Sequence, residues 1–250
     1  MKRLLVIAVI IISGRVVAQD ATVLLKEASN LERSLKDEQA LDKYKSVLSS
    51  DPANLQSLIR SSEISSAIGS RQVDKKAKQE FYERAKDYAD KALAINPNSA
   101  DANYVRAVAA GKLAEVESEN KKLVGHMKDI KTYADKALSF APNHGKANYV
   151  LGKWNFDMAT FSWAKKAAIK VLFGAIPDAS LENAYKYMEK CKTLEPYYVL
   201  NFLDLAKAYK YDNQPAKAIP VLNQLVKLPT RTPDDVALKA EGKKLLSEMQ

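Results

Sequence analysis

The 250-residue sequence contains one cysteine, two histidines and only eight glycines. A single cysteine excludes an internal disulfide, and we expect Cys191 to pack as a small apolar residue of a helix. No cysteine or second histidine stands at ligand spacing from His126 or His144, so no metal site is predicted. The sequence also lacks a glycine-rich phosphate loop, an HExxH pair and a nucleophile elbow. We expect no cofactor and no enzymatic activity, and an enzyme is kept only as an alternative hypothesis.

A concentrated basic stripe of the kind that binds nucleic acid is also absent. The formal charge is +9, but the lysine pairs at 75–76, 121–122 and 243–244 are scattered and have acidic residues nearby. We therefore predict no nucleic-acid partner. Beyond the N-terminal residues, no stretch is long and apolar enough to predict a membrane-spanning helix.

The N-terminal residues have the layout of a secretory signal peptide. Lys2 and Arg3 precede an apolar run at 4–12, and Ala18 supplies the small residue expected at a cleavage site. The alternative is an uncleaved anchor, but the run is about half of the ~20 residues that a spanning helix needs. We expect residues 1–18 to be removed near Ala18 and the mature protein to be exported, either periplasmic or secreted. Loss of the three basic residues in this segment would lower the charge from +9 to +6.

Two later stretches of the chain are nearly identical. Residues 88–105 read YADKALAINPNSADANYV and residues 133–150 read YADKALSFAPNHGKANYV, with 12 of 18 positions shared at a displacement of 45. A repeat with this period is typical of stacked helical hairpins. Each copy contains the end of one helix, a proline turn and the start of the next helix. A third turn-closing proline, Pro196, follows Pro142 by 54 residues, which predicts an inserted element between them.

Helical periodicity continues through almost the whole chain after Asp20, and no stretch alternates with period two for long enough to indicate a strand. The predicted fold class is therefore all-α, an α-α superhelix formed by a single domain at 19–250. The predicted helices lie at about 20–34, 37–49, 53–68, 74–95, 99–118, 120–140, 198–212 and 215–227, with a C-terminal capping helix at 233–249. Five serines of the third helix are predicted to allow close packing of two helix backbones: Ser57, Ser61, Ser62, Ser65 and Ser66.

The repeated unit resembles the tetratricopeptide repeat, which has small residues at set positions and a proline at the end of its second helix. Leu151 and Gly152 supply the Leu-Gly pair that the repeat carries after the proline. The spacing of 45 residues rather than 34 implies longer helices than in the standard unit. The small residues that match the pattern before Pro97 are Ala85, Ala89 and Ala92.

The last half of the chain carries a closer resemblance. The segment GKWNFDMATFSWAKKAAIKVLF at 152–173, the LAKAY run at 205–209 and the closing helix at 232–246 are similar to the regulator of microtubule dynamics family, over roughly residues 80–250. The resemblance implies a helical-repeat protein without known catalytic chemistry. Eukaryotic members are associated with microtubules or with contacts between organelle membranes, including lipid binding. The signal peptide argues against a microtubule role and favours an exported, bacterial member.

In a tetratricopeptide superhelix, the first helix of each hairpin lines the concave groove. The family's inward positions, carried onto this sequence, give a mixed aromatic and basic groove. Such a groove suits an extended peptide of acidic character or an anionic lipid head group, and the alternative is a solvated groove with ordinary surface lysines. The predicted groove residues are Asp101, Tyr104, Lys146, Tyr149, Lys153, Phe156, Leu200, Leu203, Lys207, Lys210 and Tyr211.

The stretch from Trp154 to Phe173 contains both tryptophans of the chain, interleaved with lysines. Large aromatic side chains usually belong to a core, so the favoured prediction is that these residues have a structural role and are buried. The alternatives are an amphipathic helix that touches a membrane or lines a lipid pocket, and a protein-docking surface. The residues predicted for lipid or membrane contact are Trp163, Lys165, Lys166, Lys170 and Phe173.

These observations lead to two functional hypotheses of different classes. The first is a non-enzymatic, exported scaffold that binds a protein or peptide in its concave groove. The second is a lipid-binding or membrane-contact protein that uses the 154–173 segment and an apolar cavity between helices.

Overall fold

The computed structural model describes residues 21–173 and 178–249, and these residues form twelve α-helices and no β-strand. The all-α prediction is confirmed, whereas the predicted signal peptide lies outside the described residues. The helices are α1 (21–33), α2 (Asp37–Ser50), α3 (Leu55–Arg71), α4 (Lys75–Ile95), α5 (Ala100–Val116), α6 (Asn120–Phe140), α7 (Gly145–Thr160), α8 (Trp163–Phe173), α9 (Leu181–Leu194), α10 (Val199–Tyr211), α11 (Pro215–Leu225) and α12 (Asp235–Ser247).

The helices pack as consecutive hairpins. α3 pairs with α4, α5 with α6, α7 with α9 and α10 with α11, while α1 and α2 share an apolar cluster at the N-terminal end. The first helices of neighbouring hairpins, α3, α5, α7 and α10, also contact one another in order and form the inner layer. The last helix, α12, packs against both α10 and α11. The architecture is the α-α solenoid that the repeat predicts.

The duplicated sequence builds the same turn twice. Asn103 donates a side-chain hydrogen bond to the carbonyl of Pro97 at 2.9 Å, and the equivalent Asn148 donates to the carbonyl of Pro142 at 3.3 Å. Each turn is followed by a helix whose first free amides are satisfied by a side-chain acceptor, because a helix start leaves its backbone N–H groups unpaired. The two sequence copies, 45 residues apart, therefore form the same hydrogen bonds at their turns.

Small residues let the helices of each hairpin approach closely. Ala89, Ala92, Ala134 and Ala137 have no exposed area, and the same positions before Pro196 hold the fully buried Met188 and Cys191. Gly152 shows how close the approach is, because a Cβ atom there would lie 2.6 Å from the Cγ of Met188 and 3.1 Å from the carbonyl oxygen of Ala184. The expected burial of Cys191 is confirmed, and burial raises the pKa of its thiol to about 12.

The five serines of α3 lie in the interface with neighbouring helices and are at most 3% exposed, as predicted. Ser62 donates a hydrogen bond to the carbonyl oxygen of Ala85 on α4 at 2.8 Å. The hydroxyls of Ser57, Ser61, Ser65 and Ser66 make no hydrogen bond with any described residue. Close helix contact, rather than hydroxyl chemistry, accounts for these residues.

The insertion predicted from the longer spacing before Pro196 is helix α8. It lies between α7 and α9 in sequence and contacts α6, the second helix of the preceding hairpin. Ile169 of α8 is buried in the cluster that contains Val124 and Met127 of α6. The insertion therefore sits away from the inner layer of the solenoid.

Candidate functional site

The inner helices enclose two cavities on the concave side. One has a volume of about 720 Å³ and the other about 690 Å³. Arg60, Glu63, Tyr104 and Lys146 line both cavities. These four side chains therefore form a partition between the cavities, and the concave side is hollow on either side of it.

The partition is held by a charge network centred on Glu63. The carboxylate pairs with Arg60 one turn earlier on α3 and with Lys146 of α7, whose Nζ lies 3.0 Å away. Burial would raise the pKa of Glu63, but the positive charges of Lys146 and Arg60 and a hydrogen bond from Tyr104 hold it at about 2. The glutamate is therefore ionised at neutral pH, and it ties the second hairpin to the fourth.

Tyrosine rings surround Lys146. Its Nζ lies 5.9 Å from the ring centroids of both Tyr104 and Tyr198, a distance at which a cation is attracted to an aromatic face. Tyr149 meets Tyr198 edge-on at 5.2 Å and donates a hydrogen bond to Asp204 at 2.7 Å. Burial raises the pKa of all three tyrosines well above the ordinary value, so their hydroxyls are neutral donors.

Asp101 lines the 720 Å³ cavity and contacts His144. The Nδ1 atom of His144 accepts the N–H of Ala147 and caps α7, so the proton of the neutral ring is on Nε2. That Nε2–H donates to Asp101 at 3.0 Å and lowers the pKa of the carboxyl. The structure thus brings the predicted groove residues Asp101, Tyr104 and Lys146 together at one cavity.

The positive charges of the other predicted groove lysines are neutralised by nearby acidic side chains. Each is paired with an acidic residue of the same chain, as Lys146 is with Glu63. The expected basic groove is therefore a groove of intrachain ion pairs. Lys153 pairs within its own helix, whereas Lys146 meets an acid of α3, and Lys207 and Lys210 meet acids of α12 and its C-cap. The pairs are Lys153–Asp157 at 2.5 Å, Lys207–Glu241 at 2.8 Å and Lys210–Glu248 at 2.8 Å.

The predicted apolar groove residues divide between core and surface. Leu203 is fully buried, so its side chain cannot contact a partner, and this expectation is wrong. Phe156 is half-buried and meets the exposed ring of Tyr211 edge-on at 5.8 Å. Leu200 lines the 690 Å³ cavity together with Ile64 of α3. Leu200 is therefore placed on a cavity wall, as predicted.

Several residues of the cavity walls are not among those predicted from the sequence. Arg60 and Glu63 lie on the serine-rich helix α3, and Arg71 at its end pairs with Asp234, which precedes α12. The sequence does contain an indication that Arg60 and Glu63 have a special role, because they are charged residues inside a helix that is otherwise rich in serine and isoleucine. No local pattern indicates the contact between Arg71 and Asp234, which are 163 residues apart.

The aromatic segment after α7 is partly core and partly exposed. Trp154 is buried and its Nε1 donates to the carbonyl of Met127 at 3.0 Å, in line with the structural interpretation. Trp163, in contrast, is 84% exposed. Lys165 and Lys170 are exposed, whereas Lys166 is half-buried. Phe173 ends α8, and its side chain lies outside the described part of the chain.

The described residues carry little that indicates other chemistry. No three of their His, Cys, Asp or Glu side chains are grouped so that they could hold a metal ion. Within residues 21–173 and 178–249, no helix has both the length and the apolarity needed to cross a bilayer. The hollow concave side is thus the principal candidate site of the described chain.

Solved structures support the fold. A thermophilic TPR protein from Thermus thermophilus superimposes with a TM-score of 0.66 and 14% sequence identity, over 91% of this chain and 99% of that one. PilW, a type IV pilus biogenesis factor, gives a TM-score of 0.55 and 19% identity over 92% and 90% of the two chains. At these identities the likeness concerns the solenoid fold alone.

Sequence comparison gives the family. Regulator of microtubule dynamics protein 1 of Bos taurus is 28% identical over 210 residues, which cover 83% of this chain and 64% of that protein. Regulator of microtubule dynamics protein 2 of Mus musculus is 25% identical over 175 residues, 69% of this chain and 42% of that protein. The chain thus spans about half the length of the curated relatives it matches. The family profile described as "Regulator of microtubule dynamics protein 1-3" matches residues 24–250, and the chain belongs to this family of helical-repeat proteins.

Proposed function

We propose that the protein is an exported, non-enzymatic scaffold that binds a peptide segment of a partner protein on its concave side. The observation that supports this most directly is the cavity of about 690 Å³. Its wall combines the apolar side chains of Ile64, Val108 and Leu200 with the polar groups of Arg60 and Glu63. A concave, mainly apolar surface with a few placed polar groups is the usual form of a ligand site.

The charge pairs define the chemistry of the proposed partner. An acidic segment would have to separate lysines such as Lys146 and Lys207 from the acids that already neutralise them. The proposed segment therefore carries an apolar side chain that enters the cavity, and acidity is a secondary feature. The microtubule role in the relatives' names is not extended to this chain, because the proposed export would separate it from cytoplasmic filaments.

Site-specific photocrosslinking in cells tests the concave site. A benzophenone amino acid placed at Ala67, on the cavity wall, should capture a protein that the same probe at Val73 does not capture. Val73 is 99% exposed and does not line the cavity, so it is a matched control. Filling the cavity with Val108→Trp should abolish binding of the captured protein, whereas Val73→Trp should not. Equal capture from both positions would argue against the proposal.

Export is tested on the full chain. Expression in native cells should yield a mature protein that begins at Gln19 and is found outside the cytoplasm. Recovery of an unprocessed N-terminus in the cytoplasm would contradict this part of the proposal, while leaving the concave site to be judged by crosslinking.

A lipid-binding or membrane-contact protein is the second candidate, and two observations favour it. The apolar wall of the 690 Å³ cavity could accept an acyl chain, and Trp163 is exposed in the 154–173 segment. Organic extraction and mass spectrometry of the purified mature protein should then reveal retained lipid. Retention should fall in Val108→Trp and persist in Val73→Trp, and a lipid-free wild-type protein would refute a lipid in the cavity.

A further inference from the structure

Helix α8 presents an apolar face that the described chain leaves uncovered. Trp163 and Val171 are 84% and 82% exposed, and with the half-buried Ala167 they stand at i, i+4 and i+8 on one stripe of the helix. Ile169, on another side of α8, is 5% exposed and packs with α6. The helix thus has one apolar face packed against the protein and a second apolar face exposed to solvent. A tryptophan exposed in this way is unusual, because it leaves the largest apolar side chain in water.

The charges of α8 differ from those of the concave side. Its sequence, WAKKAAIKVLF, contains three lysines and no acidic residue. None of the three forms an ion pair with an acid among the described residues, whereas the predicted groove lysines are all paired. Lys165 lies 5.0 Å from the ring centroid of Phe161, and Lys166 donates to the carbonyl of Ala159 at 2.8 Å. At about 100° per residue, Lys170 lies next to Trp163 around the helix, whereas Lys165 lies on the side of Ile169 and lines a small cavity with it against α6. The exposed face therefore has the uncompensated positive charge of Lys170 beside it.

The position of α8 separates it from the concave cavities. It contacts α6, a second helix of a hairpin, and none of its residues lines either concave cavity. Those cavities are lined by the inner helices and, at the 690 Å³ cavity, also by α1, α2, α12 and the segment before α12. A surface that binds α8 would therefore not obstruct a ligand in the cavities. The helix is also short, about 16 Å at 1.5 Å per residue, so it would lie along a surface rather than penetrate it.

We propose that α8 is an interfacial helix that attaches the protein to the surface of an anionic bilayer. Trp163 and Val171 enter the boundary between head groups and acyl chains, and Lys170 contacts the anionic head groups. Tryptophan favours this boundary, and lysines beside an apolar stripe extend their charged ends to the head groups while their methylenes stay apolar. The inference rests on the membrane-contact form of the second candidate function and assigns its contact surface to α8, without requiring a lipid in the cavity.

Vesicle co-sedimentation of the mature protein tests the assignment. Wild type should bind phosphatidylcholine vesicles that contain phosphatidylglycerol and should bind pure phosphatidylcholine weakly. Trp163→Ala with Val171→Ala should reduce binding at least about tenfold, because both apolar contacts are lost. The matched control is Val73→Ala with Val236→Ala, which removes two other exposed apolar side chains and should leave binding unchanged. Lys170→Gln should weaken binding at low salt, unlike Lys75→Gln.

Tryptophan fluorescence gives a second readout that does not depend on folding yield. The chain has two tryptophans, and Trp154 is already buried, so a blue shift on adding anionic vesicles would come from Trp163. The shift should vanish in Trp163→Phe. No vesicle binding by wild type, or unchanged binding by the Trp163 and Val171 variant, would overturn the inference, as would a dimer in solution that Trp163→Ala dissociates. Val108→Trp should keep vesicle binding even if it loses retained lipid, so failure of the cavity and failure of α8 are distinguishable.

Discussion

Arg71 and Asp234 lie 163 residues apart in sequence, yet their side chains form an ion pair at 3.1 Å. The same guanidinium contacts Asp37 at 2.7 Å. Through these contacts the segment before α12 is joined to α3 near the N-terminal end, and it forms part of the wall of the 690 Å³ cavity. The concave side is therefore bounded by both ends of the solenoid and is more enclosed than an open groove.

Replacing Arg71 with methionine should destabilise the protein by about 2 kcal/mol, since the largely buried Asp37 would lose its partner. Burial already raises the pKa of Asp37 even with the guanidinium beside it. Urea unfolding monitored by circular dichroism measures the loss. Arg84→Met is the matched control, because its pair with Glu80 is exposed at 3.7 Å and should contribute less than about 0.5 kcal/mol. Equal effects of the two substitutions would mean that the Arg71 contacts do not hold the ends together.

Glu63→Gln should lower the free energy of unfolding by an amount that depends on pH. The pKa of Glu63 is lowered to about 2 from an ordinary 4.5, so the folded state binds its proton less tightly than the unfolded state. The resulting stabilisation is fully present above about pH 4.5 and is lost as the pH falls toward 2. At neutral pH it is on the order of 3 kcal/mol.

Urea unfolding across this pH range compares Glu63→Gln with the wild type. The variant should be the less stable protein at neutral pH, and the difference should shrink as the pH approaches 2. Glu80→Gln, at an exposed pair, should follow the wild type at every pH. A constant difference between wild type and Glu63→Gln would contradict the role of charge at the partition.

Structure that depends on neighbours in the chain is the most predictable from this sequence. The duplicated turns around Pro97 and Pro142 predicted helix ends within a few residues, because the capping and side-chain hydrogen bonds involved span six residues or fewer. The buried position of Cys191 followed in the same way from helical spacing. Local hydrogen bonding and one-sided burial are both encoded in short windows.

The site was predictable only in part, because its contacts depend on curvature. The repeat pattern predicts that Tyr104 and Lys146 lie on the inner face. It does not predict the contact of Lys146 with Glu63, which lies 83 residues earlier in the chain. The pairing of Lys207 and Lys210 is not predictable from the sequence, because their partners lie on α12 and at its C-cap, whose position depends on how the last hairpin packs. For Trp163, an apolar residue on an apolar helix indicates burial, and the sequence does not show which of two apolar faces meets the protein.

The buried serines of α3 should respond in opposite directions to loss of the hydroxyl. Ser62→Ala should cost about 1 kcal/mol, since its hydrogen bond to the carbonyl of Ala85 would be lost. Ser65→Ala should be neutral or stabilising, because the Ser65 hydroxyl is buried without a hydrogen-bond partner among the described residues. Chemical denaturation of the two single variants measures both. Similar losses would show that the Ser65 hydroxyl has a favourable interaction after all.

Two glycine-to-alanine substitutions should also have opposite signs. A Cβ at Gly152 would meet the Met188 side chain at 2.6 Å and the backbone of Ala184 at 3.1 Å, so α7 and α9 must separate or Met188 must move. Gly152→Ala should therefore lower the free energy of unfolding by about 1–3 kcal/mol. At Gly125, on the exposed side of α6, a Cβ meets no atom within 4 Å, and Gly125→Ala should raise it by about 0.5–1 kcal/mol through helix propensity. Thermal unfolding of the two single variants compares the same substitution at a packed and at an open position. Stabilisation by Gly152→Ala would mean that α7 and α9 tolerate a wider spacing than the structure shows.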